Sequence, residues 1–523
     1  MDAREFKKTP KSLADQKAEM YKNKHKQSDF EDFILPFGGK LRSDNRWVIL
    51  SKIIPWDSVE QLYKNHFAES GMGSPAKESR VALGSLIIKE KLKITDEETV
   101  EQIRENPYLQ YFIGKEGYSD EAPFDPSMMV HFRKRLNFVD VNTLNEQIIA
   151  EQKSEKQTDK NDDDDPDGSQ SSNGSRETNK GKLIVDATCT PADIRYPTDI
   201  NLLNEAREKT EEIIDILFDP YVGQMKKPRT YRRKARKAFV EAIKKKHRTK
   251  SETRKAIGKQ LRFLKRDLKI VADLVARNGL KGLNKRKRRN LLVIHEVYRQ
   301  QEIMYRTKTH RIEGRIVSIS QPHVRPIVRG KARADVEFGA KINISLVNGF
   351  CYANRLSWEA YNESTDLKDQ IEEYRRRFGV YPESAHADKI FRTRENILYC
   401  SDRHIRLSGP RLGRPAKHLD EKARKQEAKQ ARKDEVDRIP IEGKFGNIKR
   451  RGTLSCVMAK LACTSESVIA IAFLVLNLDR ILRIIFLSHA CLVDITTLFR
   501  QVMTRLSSQC RSELYKMLFA DSF

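Results

Sequence analysis

Three carboxylates in the 523-residue chain are distinguished by where they fall. Asp186 closes the apolar run Leu183-Ile184-Val185, Asp388 follows Ser384-Ala385-His386-Ala387, and Glu442 lies between Arg438 and Lys449 in a stretch of mixed charge. Each alone is a weak signal, because an Asp after a strand more often caps a turn or a helix. Brought to one edge of a sheet, the three would repel one another unless a cation neutralised them. An all-oxygen ligand set suits Mg²⁺ or Mn²⁺. Two such ions support in-line phosphoryl transfer, with the carboxylates acting as ligands and not as nucleophiles.

The surroundings of Glu442 add cations. Arg438, Glu442, Phe445 and Lys449 are spaced four, three and four, which puts them on one face of a helix with a base on either side of the acid. Such bases can hold phosphates. Against a continuous helix, Gly443 and Gly446 each cost about 1 kcal/mol in a helix interior, and Pro440 argues for Arg438 sitting just outside it. The bland alternative is a surface stripe of ion pairs. His386 precedes Asp388 by two, so on a strand both point the same way; a hydrogen-bonded structural histidine is expected ahead of a metal or DNA ligand. Cys189 lies near Asp186 without a Cys or His partner at metal-site spacing and receives no role.

The elements that must position these groups follow from periodicity. Leu183 to Val185 reads as a buried strand. In Lys341 to Val347 the apolar Ile342, Ile344 and Leu346 alternate with Asn343 and Ser345, and Asn348-Gly349 supplies a two-residue turn before Phe350 to Leu356, which predicts a hairpin. Leu367, Ile371, Tyr374 and Phe378 then trace a helix face that Gly379 stops, ahead of the short run reaching Asp388. A helix between two strands predicts a right-handed crossover into a parallel strand.

Net charge is +27, from 100 Lys and Arg against 73 Asp and Glu, which favours a polyanionic partner. Most of the excess sits between residues 226 and 289, where 27 bases face four acids, Glu241, Glu252, Asp267 and Asp273. Leu261, Leu264, Leu268, Val271 and Leu274 recur there at threes and fours, so the segment is helical with one apolar face. A merely soluble helix would mix both signs, so contact with nucleic-acid phosphates is the favoured reading, with Arg232, Arg233, Lys234, Arg236 and Lys237 as candidates.

Upstream, helix-start signals crowd the stretch from Trp56 to Leu136. Asp57 to Glu60 and Thr95 to Glu98 read as capping boxes, and Ser74-Pro75, Asn106-Pro107 and Asp125-Pro126 place a cap before a first-turn proline. With Val59, Leu62, Tyr63 and Phe67 at helical spacing, four or five short helices are expected, more as plain core than as a DNA-reading helix-turn-helix. Asp162 to Asp165 and the following Ser/Asn/Gly tract read as a disordered linker. The seven cysteines are scattered, as reduced cytosolic thiols would be. Met1 to Lys11 lacks a secretory apolar stretch, and the longest apolar run, Val468 to Leu476, is too short to span a bilayer.

The whole resembles the DDE-type transposases of bacterial insertion sequences, in the branch of the insertion-sequence-five superfamily that carries a helical N-terminal domain. The likeness runs from about Phe33 to Arg483. It rests on Pro107-Tyr-Leu-Gln-Tyr-Phe, Phe132-Arg-Lys-Arg-Leu, Val185-Asp-Ala-Thr, Tyr196-Pro-Thr-Asp, Gln321-Pro-His-Val-Arg-Pro-Ile-Val-Arg-Gly and Glu337-Phe-Gly-Ala-Lys. The resemblance implies an RNase H-like α/β core with Asp186, Asp388 and Glu442 as first, second and third acid. It also implies an Arg-x3-Glu-x6-Lys signature, which Arg438, Glu442 and Lys449 satisfy. The tyrosine the signature carries three positions before the arginine is absent, and Glu435 stands there.

The expected organisation is a basic extension over 1–32, a helical transposase domain over 33–150 and a linker over 151–181. A catalytic domain over 182–483, interrupted by basic helices at about 201–310, and a tail over 484–523 follow. The resemblance implies cleavage at the ends of the element and joining of the freed 3′-hydroxyl to target DNA, with two Mg²⁺ or Mn²⁺ ions, in the bacterial cytoplasm and as a homo-oligomer on DNA. The rivals are an RNase H-like metal-dependent nuclease without strand joining and an inactive DNA-binding relative; the intact acids argue against the latter.

Overall fold

A computed structural model describes residues 29–35, 38–67, 75–158, 178–331, 334–409, 421–450 and 452–505. Most of the expected basic extension, Ser74, residues 159–177 of the expected linker and the tail beyond Arg505 lie outside the described residues. The chain divides into two compact units, one of Met1–Gly168 with Ile471–Phe523 and one of Ser169–Ala470.

The first unit is helical: α1 Arg46–Ile53, α2 Trp56–Lys64, α3 Ser79–Leu92, α4 Asp96–Glu105, α5 Pro107–Phe112, α6 Met128–Arg135 and α7 Phe138–Thr158. Two of the expected caps form. Thr95 Oγ1 accepts from the Glu98 amide at 3.1 Å, and Asn106 Oδ1 from the Tyr108 amide at 2.9 Å with Pro107 in the first turn. The Asp57 box does not, because α2 already begins at Trp56 and leaves Asp57 inside its first turn. Asp125 likewise accepts from the Ser127 amide in a turn ahead of α6. Val59, Leu83, Ile87, Ile103, Phe112 and Phe132 are fully buried, so the apolar stripes are core. The long helix α15, Ala462–Arg505, joins this unit from Ile471 onward, where Asn477 donates to Asn145 at 2.9 Å and Asp479 pairs with Lys91. The compact second unit ends at Ala470.

The second unit is built on a sheet of β1 Lys182–Pro191, β2 Arg325–Lys331, β3 Ala334–Val347, β4 Phe350–Ser357, β5 Ser384–His386 and β6 Arg406–Leu407. Strand β1 pairs antiparallel with β3 on one side and parallel with β5 on the other, and β5 continues parallel to β6. Strands β2 and β4 divide the far edge of β3. The expected hairpin is β3–β4, and Asn348 and Gly349 both take positive φ, 51° and 79°, as a turn matching the strand twist requires. Its alternation misleads in one respect. Asn343 and Ser345 are as buried as Ile342, Ile344 and Leu346, because Asn343 donates to the Asp366 carboxylate at 2.9 Å and Asn354 donates to Ser345 at 3.0 Å. Helix α12, Leu367–Phe378, crosses from β4 to β5 and buries Leu367, Ile371 and Tyr374 before Gly379, at φ 76°, ends it. Beyond β5 come α13, Arg394–Asp402, and α14, Glu421–Arg450, which packs against β1 and β5.

Between β1 and β2 the chain leaves the sheet as α8 Asp199–Phe218, α9 Arg232–Lys244, α10 Lys250–Asn278 and α11 Lys285–Thr307. These helices have a core of their own, in which Leu261, Leu264, Leu268, Val271 and Leu274 meet Leu203, Ile213, Ile214 and Ile294. The capping box at the start of α10, Thr249 with Glu252, is complete. One carboxylate in this core is anomalous. Asp267 is fully buried, neither oxygen accepts a hydrogen bond, and burial followed by the nearby Glu211 pushes its pKa up to about 7.

Candidate active site

The register of the sheet places the first two acids side by side. Ile184 on β1 is opposite His386 on β5 in a parallel pair, so two residues further along both strands Asp186 comes level with Asp388, just past the end of β5. Each uses one oxygen on local backbone: Asp186 accepts from the Ala187 amide at 2.8 Å, and Asp388 from the Lys389 amide at 2.7 Å as the cap of a short 3₁₀ turn.

Helix α14 brings the third. It runs unbroken through Pro440, Gly443 and Gly446, so Arg438 lies inside it and not just outside, as the proline suggested. Ile441 and Ile448 bury almost completely on one face, and that burial offsets the cost of the glycines. The arginine stands between the acids. Its guanidinium donates to Asp388 at 3.1 Å and to Glu442, one turn on, at 3.3 Å, while its charge also acts on Asp186. Burial lowers the affinity of Arg438 for its proton, but the bonds to Asp388 and Glu442 outweigh that and hold its pKa above the ordinary value. Asp186, largely withdrawn from water, is pushed up to about 6 by burial; Glu363 and Asp388 push the same way, and the Ala187 amide and Arg438 oppose them.

Glu363 had no signal in the sequence. It lies in the short 3₁₀ turn Glu363–Asp366 before α12 and pairs with Lys341 at 2.9 Å. Lys449 and Phe445 are half-buried further along α14. Of the candidates on α9, Arg233, Lys234, Arg236 and Lys237 are exposed. Arg232 differs from them, since it pairs with Asp215 at 2.5 Å and donates to the Glu211 carbonyl at 2.9 Å.

A second constellation lies one turn earlier on α14. His386, Asp434 and Asp437 form the one group of three possible metal ligands within 4.8 Å of one another among the described residues, so Asp186, Asp388 and Glu442 are spread more widely around Arg438. The carboxylates of this group already have cations. Arg406 Nη1 donates to both oxygens of Asp434 at 2.9 and 2.8 Å, and Lys182 pairs with Asp437 at 2.7 Å. His386, fully buried, shares a hydrogen bond with Ser384 at 3.0 Å, and burial pushes its pKa down. The group therefore ties α14 to β1, β5 and β6.

Comparison with known families matches residues 36–135 to a family described as a transposase domain, and residues 385–479 to one described as the transposase DDE domain. The second span contains Asp388, Arg438 and Glu442. The chain belongs to the insertion-sequence DDE transposases. DNA is the substrate class of this family and a divalent metal its usual cofactor. An uncharacterized protein, ORF8 in the nfe locus of Rhizobium meliloti, is 31% identical over 159 residues, covering 30% of this chain and 68% of that protein. No solved structure matches the chain significantly. Among the described residues no helix of this transposase is long and apolar enough to cross a membrane.

Proposed function

We propose that this transposase cleaves DNA at the ends of its own element and transfers the freed 3′-hydroxyl ends to target DNA, with Asp186, Asp388 and Glu442 as its catalytic acids. The observation that carries the reading is Arg438, whose guanidinium bonds acids from a strand end and a helix and acts on a third on the neighbouring strand. A cation already neutralises the three, which is the need a divalent ion would meet. The donors are all carboxylate oxygens, and that chemistry fits Mg²⁺ or Mn²⁺ held by Asp186, Asp388 and Glu442. Such ions supply Lewis acidity for in-line displacement at phosphorus.

The remaining steps belong to the chain. Arg438, once released from Asp388, is placed to donate to phosphate oxygens through its two-pronged guanidinium. Lys449 serves the same helix face further along. The exposed Arg233, Lys234, Arg236 and Lys237 hold DNA backbone without reading bases. An antiparallel β4–β3–β1 set extended by parallel β5 and β6 supports an RNase H-like core. The catalytic domain begins at 182, with the basic helices inserted at about 201–310 and the helical domain over 33–150 preceding it. Two element ends handled together imply a homo-oligomer on DNA, in the bacterial cytoplasm.

The test is single-turnover cleavage and joining on uncut and pre-cut ends with Asp186→Asn, Asp388→Asn and Glu442→Gln. Both reactions are expected to fall by several orders of magnitude while end binding stays near wild type. A folded Asp388→Asn protein that joins pre-cut ends at the wild-type rate would remove Asp388 from the site. Loss of joining alone, with cleavage retained, would favour a nuclease.

A further inference from the structure

The inserted helices enclose a cavity of about 600 Å³, away from the carboxylates, between the start of α8, the first two turns of α10 and the last turn of α11. Its inner side is apolar and aromatic: Ile257 and Tyr305 pack back onto the core of the insertion, and Met304 beside them is buried. Its rim is basic, with Arg248, Lys250 and Lys308 all exposed. Lys250 and Lys308 have no acidic partner among the described residues. The single carboxylate in the lining, Asp199, is already engaged by Gln301 at 2.8 Å and by Arg315 at 2.7 Å.

The aromatic side of the cavity is fixed. Arg254 lies over the Tyr305 ring, its guanidinium carbon 4.2 Å from the ring centroid, a cation–π contact. The far end of the ring comes so close to α10 that a Cβ on Gly258 would meet the Tyr305 hydroxyl at 2.6 Å. A mid-helix glycine costs about 1 kcal/mol relative to alanine. Here it makes room for the tyrosine. A concave apolar site with a few convergent charges selects a small molecule that has both a flat apolar body and an anion. Nucleobases stack on aromatic rings and on guanidinium planes.

We infer that this cavity binds a single nucleotide, with the base against the Arg254–Tyr305 pair and the phosphate at Lys250 and Lys308. The chemistry is the same for a free mononucleotide and for an unpaired nucleotide at the end of a DNA strand. The site does not depend on the carboxylate chemistry proposed above, so either reading can fail without the other.

The experiment is calorimetric titration of the full chain with dAMP, with deoxyadenosine and with inorganic phosphate. dAMP is expected to bind at least tenfold more tightly than either fragment. Tyr305→Ala and Lys308→Gln are each expected to weaken dAMP at least tenfold; Lys308→Gln changes an exposed side chain, so its effect is separate from any loss of packing. Gly258→Ala, which drives a methyl group into Tyr305, is expected to weaken dAMP with no change in charge. Competition then names the source. A duplex carrying one unpaired 3′ adenosine that displaces dAMP assigns the site to a strand end, and failure of that duplex to compete assigns it to the free nucleotide. Absence of dAMP binding at millimolar concentration, or binding that neither Tyr305→Ala nor Lys308→Gln alters, overturns the inference. Equal displacement by a blunt duplex also overturns it, since backbone phosphate alone would then account for the binding.

Discussion

Asp434 on α14 takes hydrogen bonds on both carboxylate oxygens from one nitrogen of Arg406, at the start of β6. Asp434 is buried; burial alone would raise its pKa, but the bonds from Arg406 and Gln430 hold it below the usual range. Four residues on along the same helix is Arg438, and four further is Glu442. The pair therefore fixes, one and two turns in advance, where the arginine and the third acid stand relative to Asp388.

Asp434→Asn is predicted to slow cleavage ten- to a hundredfold, the scale of a displacement of about 1 Å at a reacting centre. DNA binding should stay unchanged, and the Mg²⁺ concentration for half-maximal rate should rise. Arg406→Lys, which keeps a charged donor opposite an intact Asp434, should retain more of the rate than Asp434→Asn does. A metal titration under single-turnover conditions checks this. A uniform drop in rate with unchanged metal dependence would reduce the pair to a purely structural contact.

Divalent ions should separate binding from chemistry. Mg²⁺ and Mn²⁺ are predicted to support cleavage, whereas Ca²⁺, with its looser and larger coordination shell, should permit end binding with little reaction. Gel assays with each ion and with EDTA make the comparison. Undiminished cleavage in EDTA would end the metal reading.

On α9, replacing Arg233, Lys234, Arg236 and Lys237 by Gln should weaken DNA binding across sequences and flatten its salt dependence by nearly one slope unit per lost phosphate contact. Arg232→Gln should behave otherwise. It breaks the pair with Asp215 and should lower the melting temperature more than it changes the slope. Salt titrations alongside thermal melts distinguish the two.

Asp267 gives a pH dependence of stability. Its folded pKa of about 7 lies well above that of an unfolded aspartate, so the folded state binds this proton more tightly. Stability is therefore favoured at low pH, falls as pH climbs from about 4 to 7, and stays reduced above that. Burial is the main cause; Glu211 raises the pKa further, against Arg207, Arg266 and Arg232. Asp267→Asn is predicted to stabilise the protein at pH 8, by on the order of 1 to 3 kcal/mol, with the gain shrinking towards pH 5. Denaturant melts across that range measure it; a gain independent of pH would remove titration as its cause.

Much of this was legible in the chain itself. Asp186 and Asp388 announce themselves by ending apolar runs, and the Asn-Gly turn and the leucine spacing of α10 each specify one local structure. Other features depend on partners distant in sequence. Pro440 and the two glycines argue locally against a continuous helix, and only the burial of Ile441 and Ile448 on the sheet overrules them. Glu363, Arg406 and Lys182 carry no motif, because their places near the acids come from strand pairing, or for Glu363 from its ion pair with Lys341, and not from spacing. Asn343 and Ser345 read as a wet face because alternation cannot distinguish water from Asp366 and Asn354 as a hydrogen-bond partner.

Asp199 sits at the first turn of the inserted helices and accepts hydrogen bonds from Gln301 and Arg315, near where the chain returns to the sheet. Roughly 130 residues separate β1 from β2, and as a slack loop they would place a large entropic barrier before any pairing of β1 with β3. A ribosome releases β1 long before its neighbours. With their own core, the inserted helices can fold as they emerge, and Asp199 closes their ends, so that β3 arrives beside a strand already held in reach. The basic helices would then act during synthesis as a clasp that shortens the search, and weakening Asp199 should slow refolding far more than it speeds unfolding.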